Sequence, residues 1–269
     1  MTTERKTLQK GSTGADVLYL QTTLTQKGYA ISIDGIFGKQ THEAVCQFQQ
    51  SAHLTADGIA GPKTWAALTT ETPPTIDPSL FEKAAQTLNV EVAAIRAVHQ
   101  VEAGGQSGFL PDGRTLAIFE GHIFWNELKK SGIDPEKYRI GNEDIVFPQW
   151  NRASYTGGAD EYNRLNRACV IHHGAALRSA AWGLFQIMGF NHTLCGYDSV
   201  YVYAASMQMN QDYQFDAFIR FIQNTKLDIP LRKLRWTDFA WQYNGRRYKE
   251  NRYVERLEVA YSQAKKKKI

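Results

Sequence analysis

The sequence predicts a mainly α protein in two parts, a small three-helix bundle followed by a larger α-rich domain. Three observations predict it. Apolar residues recur at three- and four-residue steps through most of the chain, a turn-plus-helix string occurs twice near the N-terminus, and a stretch rich in Thr and Pro separates that repeat from the rest. With 269 residues, 43% of them apolar and 12% aromatic, the chain has ample material for packed cores. The net charge of +4 is mild and points to no nucleic-acid partner. Cys46, Cys169 and Cys195 form an odd set without CxxC spacing, so they read as free thiols of a reducing cytoplasm rather than zinc ligands or a disulfide framework. The N-terminus MTTERKTLQKG has no apolar core of a signal peptide, and no apolar run is long enough to span a bilayer. A protein made in the cytoplasm is expected, and a substrate outside it would require some other means of passage.

The first helix is expected over residues 16–27, after the GSTG loop, with Val17, Leu20 and Leu24 on one side. The string DGIFGKQT at Asp34 recurs as DGIAGPKT at Asp57. Helical patterns follow each, with Ala44, Val45 and Phe48 after the first and Trp65, Ala66 and Leu68 after the second. The Asp-Gly pairs supply turn geometry, and Thr41 and Thr64 are placed as helix caps. The string TTETPPTIDP disfavours helix, which gives a first domain over 1–70, a linker over 71–78 and a second domain over 79–269.

In the second domain, helices are expected over 79–88 and 90–103, followed by an apolar run over 116–128. Residues 141–168 are polar and rich in Asn, Arg and Tyr, suggesting a surface excursion beside a cleft. One long periodic helix is expected to carry Ala205, Met209, Phe215, Phe218, Phe221 and Ile222, and a last helix to run over 253–264. Little strand is expected. Glu102 stands out within this pattern. It follows Ile95 by seven residues and Val98 by four, so its carboxylate projects with the core-facing stripe of Val90, Ala94, Ala97, Val98 and Val101. Gly104-Gly105 then end the helix where backbone can approach a ligand. Desolvation would raise the pKa of such a carboxyl and leave it able to donate a proton near neutral pH. The segment WGLFQIMGFN places Gly183 and Gln186 in a turn between apolar anchors, and FAWQYNGRRY offers Tyr243 and Asn244. An amide and a phenol suit a sugar-lined groove, although an Asn-Gly pair also makes an ordinary turn and a helical Tyr an ordinary core residue.

The segments LQKGSTGADVLYLQTTLTQKGY and DGIFGKQTHEAVCQFQ make residues 8–68 similar to the common three-helix peptidoglycan-binding domain. That resemblance implies a cell-wall peptide or sugar held between the first helix and the DGIFG loop, with Asp34, Phe37 and Thr41 as contacts. Turn, core packing and helix cap are their alternative roles. The strings VEAGGQSGF, GRTLAIFEGHIFW, WGLFQIMGFN and FAWQYNGRRYKENRYVERLEVAY resemble the N-acetylmuramidase domain of modular bacteriophage endolysins, a branch of the lysozyme-like superfamily. The similarity extends over nearly all of 79–264.

It implies Glu102 as catalytic acid and Glu120 as second carboxylate, with Gln186, Tyr243 and Asn244 holding sugar. The alternative for Glu120 is a structural anchor or a partner of Arg114 or His122. Asp112, in a PDG turn, ranks lower. The run AWQYNGRRYKEN departs from the family's PGY-like string and puts contacts at Arg246 and Arg247 in doubt. The implied reaction is hydrolysis of the β-1,4 bond between N-acetylmuramic acid and N-acetylglucosamine, without cofactor or metal, by a monomer. It would act on the wall in the periplasm of a phage-infected host, after membrane permeabilisation, and lyse the cell.

Three alternatives stay open. A lytic transglycosylase would use the same Glu and leave 1,6-anhydro ends. A zinc amidase or Cys/His peptidase would draw on His172, His173 and the cysteines, which lack ligand spacing. A non-catalytic wall-binding protein would need only the first module. The lysines Lys265, Lys266, Lys267 and Lys268 form either a tail for an anionic outer membrane or a solubilising end.

Overall fold

The computed structural model describes residues 5–69, 75–249 and 251–266. In the N-terminal module, α1 (Ala15–Gln26), α2 (Lys39–Ser51) and α3 (Pro62–Leu68) close on a core of Leu20, Leu24, Phe37, Val45, Phe48 and Trp65. The sequence repeat is a repeat of hydrogen bonds. The Gln21 side-chain amide donates to Asp34 Oδ1 (2.8 Å), the Ile36 carbonyl (3.0 Å) and Thr41 Oγ1 (3.0 Å). Gln49 does the same to Asp57 Oδ1 (2.8 Å), the Ile59 carbonyl (3.0 Å) and Thr64 Oγ1 (3.0 Å). One buried amide thus ties each turn to the helix before it, and leaving such acceptors unpaired in the core would be costly. The threonines are not caps. Gly38 and Gly61 hold the cap positions, and Thr41 and Thr64 sit one turn inside, buried by these bonds.

The larger domain opens with α4 (Pro78–Leu88), whose first turn is capped by the Asp77 carboxylate on the Ser79 N–H, and α5 (Val92–Ala103). There follow β1 (Ala117–Phe119), α6 (Gly121–Lys130), α7 (Glu161–Arg178), β2 (Ala180–Trp182) and β3 (Ile187–Met188). The strands form one antiparallel sheet in the order β1-β2-β3, with Ala117 opposite Trp182 and Ala181 opposite Met188. The chain ends in α8 (Val200–Met209), α9 (Gln211–Asn224), α10 (Asp228–Arg232), α11 (Trp236–Asn244) and α12 (Tyr253–Lys266). The fold is α-rich with a single small sheet among the described residues, as its periodicity predicts.

Three further expectations are corrected. The apolar run over 116–128 is not one helix: it is β1 followed by α6, separated at Glu120. The excursion over 141–168 ends early, because from Glu161 onward it is α7, with Tyr162, Leu165 and Ala168 in the core. Its polar look comes from a buried ion pair, Glu161 with Arg164 at 2.7 Å. The long helix carrying Ala205 to Ile222 is two helices, broken at an extended Asn210 whose side chain accepts from the Tyr213 N–H (3.2 Å) and starts α9. Of the C-terminal lysines, Lys265 and Lys266 belong to α12, and Lys265 is paired with Glu91 at 2.9 Å; Lys267 and Lys268 lie outside the described residues.

The modules are not separated in space. Ala15 and Leu18 of α1 belong to the large domain's core cluster, packed with α7 and α8. Cys46, Cys169 and Cys195 are free thiols. Among the described residues no helix is long and apolar enough to cross a membrane.

Candidate active site

Glu102 lies in the last turn of α5, partly buried, and Gly104 ends the helix in the left-handed conformation (φ 60°). The face that carries it packs along α12. From there the Tyr253 hydroxyl donates to Glu102 Oε1, while Arg256 lies beside the carboxylate and donates to the Val101 carbonyl (2.7 Å). Burial pushes the Glu102 carboxyl up to about 7, against the opposing pull of the Tyr253 hydrogen bond and the Arg256 charge. At neutral pH such a group is close to half protonated, as a proton donor requires.

The turn between β2 and β3 brings Gln186 to the same region. Gln186 adopts the left-handed conformation (φ 46°), and its amide donates to the Gly183 carbonyl (2.8 Å). Its Oε1 is buried with no hydrogen-bond partner. Gly183 has φ 71°, and a Cβ there would fall 2.7 Å from the Gln214 side chain, so the turn requires glycine. Tyr243 on α11 stacks on Phe239 (5.1 Å between ring centroids) and donates to the Phe185 carbonyl (2.6 Å), next to Gln186. Burial, followed by the charge of Glu102, drives the Tyr243 phenol well above its ordinary range, so it is a neutral donor. Tyr243 thereby feels the Glu102 charge and is tied to the turn that carries Gln186.

The other carboxylate candidates have partners of their own. Glu120 ends β1 at the start of α6, where it accepts from the Tyr155 hydroxyl and lies 3.3 Å from His122 Nδ1. Of its two expected partners only His122 is present, because Arg114 is engaged by Asp16 and Asp112. Asp112 is held by that guanidinium (2.7 Å) and by Arg5. Asn244 is exposed at the end of α11, and the side chains of Arg246 and Arg247 lie outside the described residues. In the small module, Asp34 closes its own turn on the Ile36 N–H (2.9 Å), Phe37 is in the core and Thr41 is buried. His172 marks a kink in α7, and no group of three or more metal-ligating residues occurs among the described residues.

Three residues of this region are picked out by no spacing of their own, although two of them, Tyr253 and Arg256, lie within the C-terminal string that carries the resemblance. Tyr253 shares the buried stripe of α12 with Leu257 and Ala260, and Arg256 is exposed beside it, but a stripe does not say which helix it meets. Glu161 sits behind Glu120. Its carboxylate accepts from the N–H groups of Phe119 (3.1 Å), Thr156 (2.7 Å) and Gly157 (3.1 Å), which bracket Glu120 and Tyr155 in sequence. Burial pushes the Glu161 carboxyl up, but these donors and Arg164 outweigh it and hold the group below its ordinary range.

The N-acetylmuramidase family model matches residues 91–265, which contain every candidate of the large domain, and a peptidoglycan binding domain model matches residues 13–68. The crystal structure of the Burkholderia AP3 phage endolysin is 39% identical, covering 97% of this chain and 100% of that one, with a TM-score of 0.63. Curated proteins match over shorter stretches. A spore cortex-lytic enzyme of Bacillus cereus is 43% identical over 58 residues (21% of this chain, 22% of that protein). The zinc D-Ala-D-Ala carboxypeptidase of Streptomyces albus G is 45% identical over 62 residues (22% of this chain, 24% of that protein). This chain therefore spans about a quarter or less of those curated relatives. With one family model over most of its length and a solved endolysin matching nearly all of it, the chain belongs to the N-acetylmuramidase family.

Proposed function

We propose that this protein is an endolysin that hydrolyses the β-1,4 bond between N-acetylmuramic acid and N-acetylglucosamine, with Glu102 as the acid that protonates the leaving oxygen. The observation that carries the assignment is the partly buried carboxyl at the end of α5, pushed up to about 7 by burial and held by the Tyr253 hydroxyl. A sugar N–H or O–H would satisfy the unpartnered Oε1 of Gln186, and Tyr243 and Asn244 would flank it. Glu120 would orient water or stabilise positive charge. Phe37 and Thr41, buried inside the module, would frame the wall-binding turn, while Asp34, exposed and bonded within the module through its Oδ1, would be the contact among the three. The protein would act as a monomer on the wall in the periplasm, after membrane permeabilisation, and lyse its host. Any contact with an anionic outer membrane through the C-terminal lysines would draw on those beyond Lys265, which is engaged by Glu91.

The test is mass spectrometry of fragments released from purified peptidoglycan, with and without borohydride reduction. Reducible muramic acid ends are expected. Anhydro-muramyl ends would make the protein a transglycosylase, and free stem peptides would remove the large domain's assignment.

Tyr253 acts on Glu102, and its effect is measurable. Its hydrogen bond favours the charged carboxylate, so Tyr253→Phe should raise the Glu102 pKa further. The alkaline limb of kcat/KM, where the acid loses its proton, should move up by about one pH unit. A profile unchanged in a folded variant would show that the phenol does not act on the acid.

A further inference from the structure

We infer that Asp16 and Arg5 of the small module are positioning residues for the glycosidase reaction, because they hold the tip of the loop that joins Glu102 to Glu120. This rests on the catalytic reading above. Residues 104–116 connect α5 to β1. At one end of the loop lies Glu102; at the other, the Leu116 carbonyl accepts from the Gly183 N–H (2.8 Å) and the Gln186 amide (3.5 Å). Its tip lies against the other module. The Arg114 guanidinium, 7% exposed, donates to Asp112 Oδ2 on its own loop (2.7 Å) and to Asp16 Oδ1 on α1 (2.9 Å). Asp16 is fixed in turn by the Asn166 amide (2.6 Å) on α7. Arg5 lies over the rings of Tyr19 (4.5 Å) and Trp65 (4.8 Å) and donates to the Asp112 carbonyl. Between them Gly113, at φ 83°, has room for no side chain, since a Cβ would fall 2.8 Å from the Tyr19 hydroxyl oxygen.

The docking is built into the module's repeat. In the second half, His42 stands seven residues before Gln49, and its ring covers Gly58, 2.0 Å from where a Cβ would be. In the first half the same position, seven residues before Gln21, is Gly14, which has no ring to offer. The corresponding place over Gly35 is filled by His173 of α7, whose ring lies 2.2 Å from the Cβ position. The catalytic domain thus supplies the side chain that the first repeat omits. A module bound this way is a wall of the catalytic domain and not a tethered bead.

Removing the Asp16 charge leaves Arg114 paired with Asp112, so one tie between the modules is weakened while the loop keeps its own ion pair. The full-length variants Asp16→Asn and Arg5→Met would be assayed on short, soluble, peptide-free glycan strands, where wall affinity plays no part. Because small misplacements of reacting groups are costly, kcat should fall about tenfold while KM stays within about twofold. Amide exchange should quicken over residues 106–116. A folded pair of variants with parental kcat on strands would overturn the proposal, as would losses seen only on intact sacculi. Should Asp16→Asn not fold, Arg5→Met, which leaves both Arg114 pairs in place, decides alone. Glu102→Gln is run in parallel: cleavage that survives in it sinks the acid assignment, whatever the anchor variants do.

Discussion

Replacing Glu102 by Gln should abolish glycan cleavage and leave the protein at least as stable as the parent at neutral pH. The rate loss follows from removing the only proton that the leaving oxygen could take from this carboxyl, an effect of roughly 10²–10⁴ for general acid catalysis. The stability effect follows from linkage. Burial pushes the Glu102 carboxyl up to about 7 in the folded protein from its ordinary 4.5, so folding favours its protonated form. Below the unfolded value both states are protonated and the group costs nothing. As pH rises from there to about 7 the unfolded chain ionises first, and stability falls by an amount approaching about 3 kcal/mol. Gln keeps the acceptor for Tyr253 without that penalty. Melting curves of parent and variant at pH 5 and pH 8 should therefore diverge, the variant gaining relative to the parent at the higher pH. Equal differences at both pH values would show that Glu102 is not held protonated, and full activity in the variant would end its role as acid.

Much of this site is legible in the sequence because its chemistry is local. The seven- and four-residue spacing that carries Glu102 to the core face, and the glycines that end its helix, lie within a dozen residues, as does the turn that presents Gln186. What sequence does not give is partnership at long range. Tyr253 is more than a hundred residues from Glu102, and the Asp16–Arg114 pair joins two modules. Nothing in either neighbourhood names the other. Pattern reading also fails where polarity is buried: Glu161, Asn163, Arg164, Asn166 and Arg167 make a run that looks solvated, yet Glu161 and Arg164 neutralise one another inside the core. The break at Asn210 fails for a different reason. Apolar periodicity runs through it, and only the capping bond to the Tyr213 N–H divides α8 from α9.

That buried pair gives the second large effect. Glu161→Gln should destabilise the protein by about 3–5 kcal/mol, because it leaves the Arg164 guanidinium, 3% exposed, without its counter-charge. The amide of Gln would also face backbone N–H groups that now converge on two carboxylate oxygens, and an NH2 cannot accept from them. The consequence reaches the site. Phe119 immediately precedes Glu120, and Thr156 immediately follows the Tyr155 that donates to it, so loosening either frees both halves of the Glu120–Tyr155 contact. Removing both charges together separates the two roles. Glu161→Met with Arg164→Met leaves no orphan charge, and denaturant unfolding should recover much of the lost stability. Activity should stay low in that double variant, because the backbone of residues 155–157 has still lost its acceptor. A single variant costing less than about 1 kcal/mol would mean that the pair is not the tie between α7 and β1. A double variant regaining activity along with stability would mean that Glu120 needs a folded domain and nothing more from Glu161.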